Sequence, residues 1–115
     1  MCQRSCGYII AHMPIPSSLQ KAIDALLVQT GETDRSLRRE VLEHNRNSSG
    51  QVPELLRGLV DKVSQSPWTV TDEDFAQLRA AGYSESQLYE VTLAAALGAG
   101  LARFDAGLRA IEEAC

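Results

Sequence analysis

Residues 85–114 run without a proline, and their apolar positions recur at helical spacing, so one long helix constrains how the rest of the chain can fold. At 1.5 Å per residue such a helix is about 45 Å long. A compact chain of 115 residues is only about 35 Å across. Gly98 and Gly100 each cost ~1 kcal/mol relative to alanine inside a helix. Either the helix kinks there, or its second half reaches beyond the body of the subunit. Leu97, Leu101, Phe104, Leu108 and Ile111 form a 4-3 repeat suited to docking on another helix. Ala94, Ala95, Ala96, Ala99 and the two glycines permit close backbone approach. Two readings stand: an internal core helix, or one that also packs across a subunit interface.

The preceding segments also read as helices. Ser17-x-x-Gln20 has capping-box spacing after Pro16; Leu19, Ile23, Leu26 and Leu27 share one face, and Gly31 supplies a left-handed stop. A second helix starts after Thr33 or Asp34, turns Leu37, Val41 and Leu42 inward, and frays into the polar loop at 45–50. A third opens at Pro53, where a missing N–H is harmless, and presents Val52, Leu55, Leu56, Leu59, Val60 and Val63. Ser66-Pro67 ends it, because the residue before proline is pushed out of the α region. Thr71 caps a fourth helix whose first turn carries Asp72, Glu73 and Asp74 against the positive end of the dipole. Gly82 closes that helix, and Ser84-x-x-Gln87 opens the long one with a second capping box. No segment has strand or hairpin character. The fold class is all-α, a bundle of about five helices.

Composition narrows the function by exclusion. Apolar residues make up 44% and charged residues 23%, ordinary globular usage for one domain. The net charge of −4 gives no general attraction to nucleic acid or anionic lipid, so no nucleic-acid partner is expected. Arg38 and Arg39 sit beside Glu40 and Glu43, which reads as a self-neutralised, solvated face. Cys2, Cys6 and Cys115 are odd in number and terminal, which suits cytosolic thiols rather than a disulfide framework. No stretch is expected to reach the roughly 18 apolar residues of a membrane span, so a cytoplasmic location without membrane attachment is expected. Residues 1–16 read as a flexible N-terminal extension, with Met13 as an alternative start, and 17–115 as the helical domain.

Most chemical motifs are missing. Cys2 and Cys6 do not form a CxxC pair, and His12 and His44 lack matched metal-ligand spacing, so no metal or cofactor is expected. The helices flanking Gly82 superficially resemble a helix-turn-helix. The second begins with Glu85, Gln87 and Glu90, however, a surface that repels phosphates. Glu90 remains, a carboxylate on the edge of an apolar helix, with Arg103 further along. Both read as exposed or interface charges in the structural interpretation. In the catalytic one, Glu90 moves a proton in an interhelical pocket and Arg103 orients an anionic substrate. Tyr83 and Tyr89 are candidate pocket walls; Trp68 suits core packing better.

Residues 52–111 resemble the AhpD-like / carboxymuconolactone decarboxylase family. The resemblance rests on Pro67-Trp68-x-Val70-Thr71-Asp72-x-Asp74, Leu78-x-x-Ala81-Gly82-Tyr83-Ser84, Leu88-x-Glu90 and the alanine-rich run to Arg103. It implies an AhpD-like helical bundle that forms homo-oligomers by helix packing, here through the C-terminal helix. In redox members it also implies a CxxC pair with a glutamate and a histidine relaying protons. Counting from Glu90, those positions hold Ala102, Asp105 and Arg109, so only the glutamate matches. A dithiol mechanism needs a resolving thiol beside the attacking thiolate, and this chain offers none there. The expectation is a divergent member without a dithiol site, an oligomer that binds a small molecule or acts by assembly. The alternative is an acid/base enzyme using Glu90 and Arg103.

Overall fold

The computed structural model describes residues 16–114, and among them every regular element is helical. The terminal cysteines, His12 and all but the last residue of the expected extension lie outside the described residues. Five α-helices follow in order: α1 (Ser17–Val28), α2 (Arg35–Asn47), α3 (Glu54–Gln65), α4 (Asp72–Ala80) and α5 (Glu85–Ala114). A single 3-10 turn, Pro67–Thr69, separates α3 from α4. The all-α reading holds.

Helix α5 is the axis of the molecule. Its buried face carries Leu88, Val91, Ala94, Ala95, Gly98, Ala99 and Leu101. That face packs mainly on α2 and next on α3. The two backbones meet most closely at Gly98, where any Cβ would collide with the main chain of Leu42. Val41, Leu56, Val60 and Val91 are fully buried, each contributing about 1.5–3 kcal/mol of apolar burial. Asn45 fastens this junction, its amide donating at 3.0 Å to the carbonyls of both Val60 and Ala95.

The helix is a single 30-residue element through Gly98 and Gly100, so it overhangs. The molecule measures 58 × 29 × 21 Å, and its radius of gyration of 16.4 Å exceeds the ~13 Å of a compact domain of this size. Every described residue from Arg109 onward is exposed. The 4-3 seam is split: Leu101 is only 2% exposed and belongs to the subunit's own core, while Ile111 is 52% exposed. By length and composition α5 is also apolar enough to cross a bilayer, with a mean hydropathy of 1.3. Leucine and alanine carry this average across Thr92, Arg103 and Asp105, which interrupt the apolar run. A third of the window is buried inside the molecule, on the face that packs against α2 and α3.

Local signals decide the starts of α4 and α5 and the turn between them. Thr71 Oγ1 accepts from the Asp74 N–H at 3.4 Å, and Asp74 Oδ2 accepts from the Thr71 N–H at 2.9 Å. Ser84 and Gln87 make the same reciprocal pair, at 3.1 and 2.8 Å. Gly82 has φ 111°, the left-handed geometry that favours glycine. Other expectations fail, among them Leu55, grouped with the apolar face of α3 but 63% exposed. Ser17 is the first helical residue rather than the cap, with Pro16 at the cap and Gln20 bonded instead to Asp24. Helix α1 ends at Val28 through an extended Gln29, and Gly31 is not left-handed. Trp68 stands on the 3-10 turn, 80% exposed, because that turn lifts it off the core.

Candidate functional site

Glu90 sits where α5 passes beneath the connection between α1 and α2. The connection folds onto its carboxylate: the Glu32 N–H donates to Oε2 at 2.8 Å and the Thr33 hydroxyl to Oε1 at 3.3 Å. Gln87, one turn earlier, donates its amide to the Glu32 carbonyl at 3.4 Å. Gly31 lies so near that a Cβ there would strike the Glu90 carboxylate. The glycine expected to stop a helix therefore serves a close approach instead.

Arg38 faces Glu90 from α2, with Nη1 4.0 Å from Oε1. Its side chain is 4% exposed and that of Glu90 16%. The solvated basic face expected at 38–43 is thus wrong for Arg38. It lies one turn before Val41 and Leu42, on the stripe that meets α5, and burial follows from that register. Arg38 Nη2 donates to the Gln29 carbonyl at 2.7 Å, while Nε has no hydrogen-bond partner among the described residues. A buried donor without a partner is uncommon in a folded protein.

Both charges line a cavity of about 530 Å³ whose other walls are Ala22, Ala25, Leu26, Leu93, Ala96 and Leu97. Helix α1 supplies one wall and α5 the facing one. The volume lies within the range of small-molecule sites, and two polar groups in an apolar surround is their usual chemistry.

Arg103 is elsewhere. It stands about 20 Å further along α5, exposed, and donates Nη2 to the Ser64 carbonyl at 2.9 Å. The cation that faces Glu90 is Arg38. Nor do the aromatic candidates wall this cavity. Tyr83 packs against the core, and Tyr89, 67% exposed, borders a separate groove with Phe75 and Arg79. His44 Nε2 lies 2.8 Å from Asp61 Oδ1 and ties α2 to α3. No group of three His, Cys, Asp or Glu side chains suited to a metal ion occurs among the described residues.

Arg38, Thr33 and Gly31 were missed by sequence reasoning. A signal for Arg38 existed: a charge in register with Val41 and Leu42 on an otherwise apolar stripe. Nothing local marks Thr33 or Gly31, whose partner is more than fifty positions away. Comparison with family models, curated proteins and solved structures returns no match to this chain.

Proposed function

We propose that the protein binds a small, largely apolar molecule in the cavity between α1, α2 and α5, with Arg38 and Glu90 as its polar anchors. The observation that carries this reading is the pairing of a buried, incompletely bonded guanidinium with a carboxylate in an alanine- and leucine-lined space. A purely structural ion pair has no need of a 530 Å³ cavity beside it. The resemblance to AhpD-like proteins fits a divergent member that keeps the helical frame and the glutamate and works without a dithiol.

Assembly with further copies of the chain accompanies this reading. Tyr89, Leu93, Ala96 and Gly100 make an exposed stripe along α5, and Leu93 and Ala96 also border the cavity, so a second copy there would close its open side. Acid/base chemistry by Glu90 with Arg103 has less support, since the two lie apart within the subunit and both Glu90 oxygens are held by donors from residues 32 and 33.

Titration with the neutral fluorophore N-phenyl-1-naphthylamine tests the binding reading. Saturable uptake that Ala96→Trp abolishes by filling the cavity supports it; uptake that never saturates, or that survives Ala96→Trp, ends it. For assembly, sedimentation should give a multiple of 12.5 kDa that Tyr89→Asp reduces. A 12.5 kDa particle at tens of micromolar contradicts it.

A further inference from the structure

We infer that the ligand of this cavity is an uncharged molecule with an apolar body and one hydrogen-bond acceptor of the carbonyl type, received by the Arg38 guanidinium. The inference rests on the binding reading above and goes further by fixing the charge and polarity of what is bound.

Three observations carry it. First, the site is electrically complete. One cation and one anion face each other at 4.0 Å, both largely withdrawn from water. A carboxylate ligand would place a second negative charge beside Glu90, and an ammonium ligand a second positive charge beside Arg38. Either leaves an uncompensated charge in an apolar space, which is strongly unfavourable. Second, the unfilled hydrogen-bonding capacity lies on the donor side. A guanidinium has five N–H groups. Arg38 makes one short hydrogen bond, to Gln29, and its Nη1 stands beyond hydrogen-bond distance from Glu90 and is the donor left for a ligand; Nε, also without a partner among the described residues, is sealed from solvent. Third, the acceptor side is the better filled. Glu90 already receives two donors for its roughly four lone-pair sites, from the Glu32 N–H and the Thr33 hydroxyl, whereas Arg38 uses one of its five N–H groups. A ketone, aldehyde or ester oxygen therefore finds more free capacity than a donor such as an amine does. The remaining walls are hydrocarbon and suit an alkyl chain or ring.

The test compares three probes of matched chain length, 2-heptanone, heptanoate and heptylamine, by protein-detected NMR titration at pH 7 using the Leu93 and Leu97 methyls as reporters. The ketone should bind most tightly, about five- to tenfold better than heptanoate, the worth of one well-placed hydrogen bond. Arg38→Lys keeps the charge opposite Glu90 but removes the fork of donors, and should weaken ketone binding by a similar factor. Heptanoate or heptylamine binding as tightly as the ketone overturns the inference and leaves the cavity a binding site. Unchanged ketone affinity in Arg38→Lys also overturns it. If none of the three moves these methyls at millimolar concentration, the binding reading itself falls. Should Arg38→Lys fail to fold, the ranking of the three probes on the unaltered protein still decides.

Discussion

The turn between α4 and α5 and the connection between α1 and α2 do the same job by opposite means. Both reverse the chain between helices. At the first, Gly82 takes a left-handed φ and α5 starts on a reciprocal pair three positions apart, Ser84 with Gln87, as α4 itself starts on Thr71 with Asp74. At the second, Asp34 stands at the cap of α2 with no side-chain bond, and the loop is held by Glu90 from far along the chain. A locally written turn leans little on the rest of the fold, its caps contributing about 1 kcal/mol each. One held at long range requires α5 to be in place, so the cavity and its ion pair depend on the whole fold.

That contrast can be broken most severely at Gly98. Gly98→Leu drives a side chain into the Leu42 backbone and should destabilise by about 3 kcal/mol, even after the ~1 kcal/mol gained in helix propensity. Urea unfolding measures it; a loss under 1 kcal/mol would mean that α2 and α5 do not meet there. Glu90→Gln comes next. Removing one partner of a buried pair costs about 3–5 kcal/mol, reduced here to about 2 kcal/mol because Glu90 is partly exposed and the pair is open at 4.0 Å. Amide exchange at Glu32 and Thr33 should accelerate in this variant, while exchange around Ser84 stays as it was.

The locally capped helix starts should yield less. Thr71→Ala or Ser84→Ala removes one cap bond and should cost about 1 kcal/mol in thermal or urea unfolding. A loss as large as that of Glu90→Gln would erase the distinction between the two regions. The smallest effect concerns pH. The Lys62 ammonium, bonded at 2.9 Å to both Asp74 oxygens and helped by the Thr71 N–H, holds the Asp74 carboxyl below the usual range. A carboxyl lowered in the folded state contributes stability above its unfolded pKa of about 3.9, and that contribution is lost as pH falls below it. Lys62→Met should therefore shrink the stability lost between pH 5 and pH 2, read from acid titration of the unfolding midpoint.

Legibility in the sequence follows the same division. Five helices, the Thr71 cap, the Ser84–Gln87 capping box, Gly82 and the break at Ser66-Pro67 are written within a few residues of where they act and stand where their patterns placed them, whereas the box expected at Ser17–Gln20 does not form. The length of α5 was legible too, and its lack of a kink has a physical reason. Gly98 is kept by the pressure of Leu42 rather than by any need to bend. Glu90 stood out as a carboxylate on an apolar helix, but its partner did not. Arg103 shares its helix and invited pairing, whereas Arg38 reaches it only through the crossing of α2 over α5. Neighbouring acids at Glu40 and Glu43 made Arg38 look like a surface charge; its register with Val41 and Leu42 outweighed them.

The most direct measurement of this account is a double-mutant cycle on Arg38→Met and Glu90→Gln, read by urea unfolding. If the two charges face each other across the cavity, the double variant should be more stable than the sum of the single losses implies, by about 1 kcal/mol or more. Losses that add to within about 0.3–0.5 kcal/mol would show that Arg38 and Glu90 do not interact, and the site would no longer hold together.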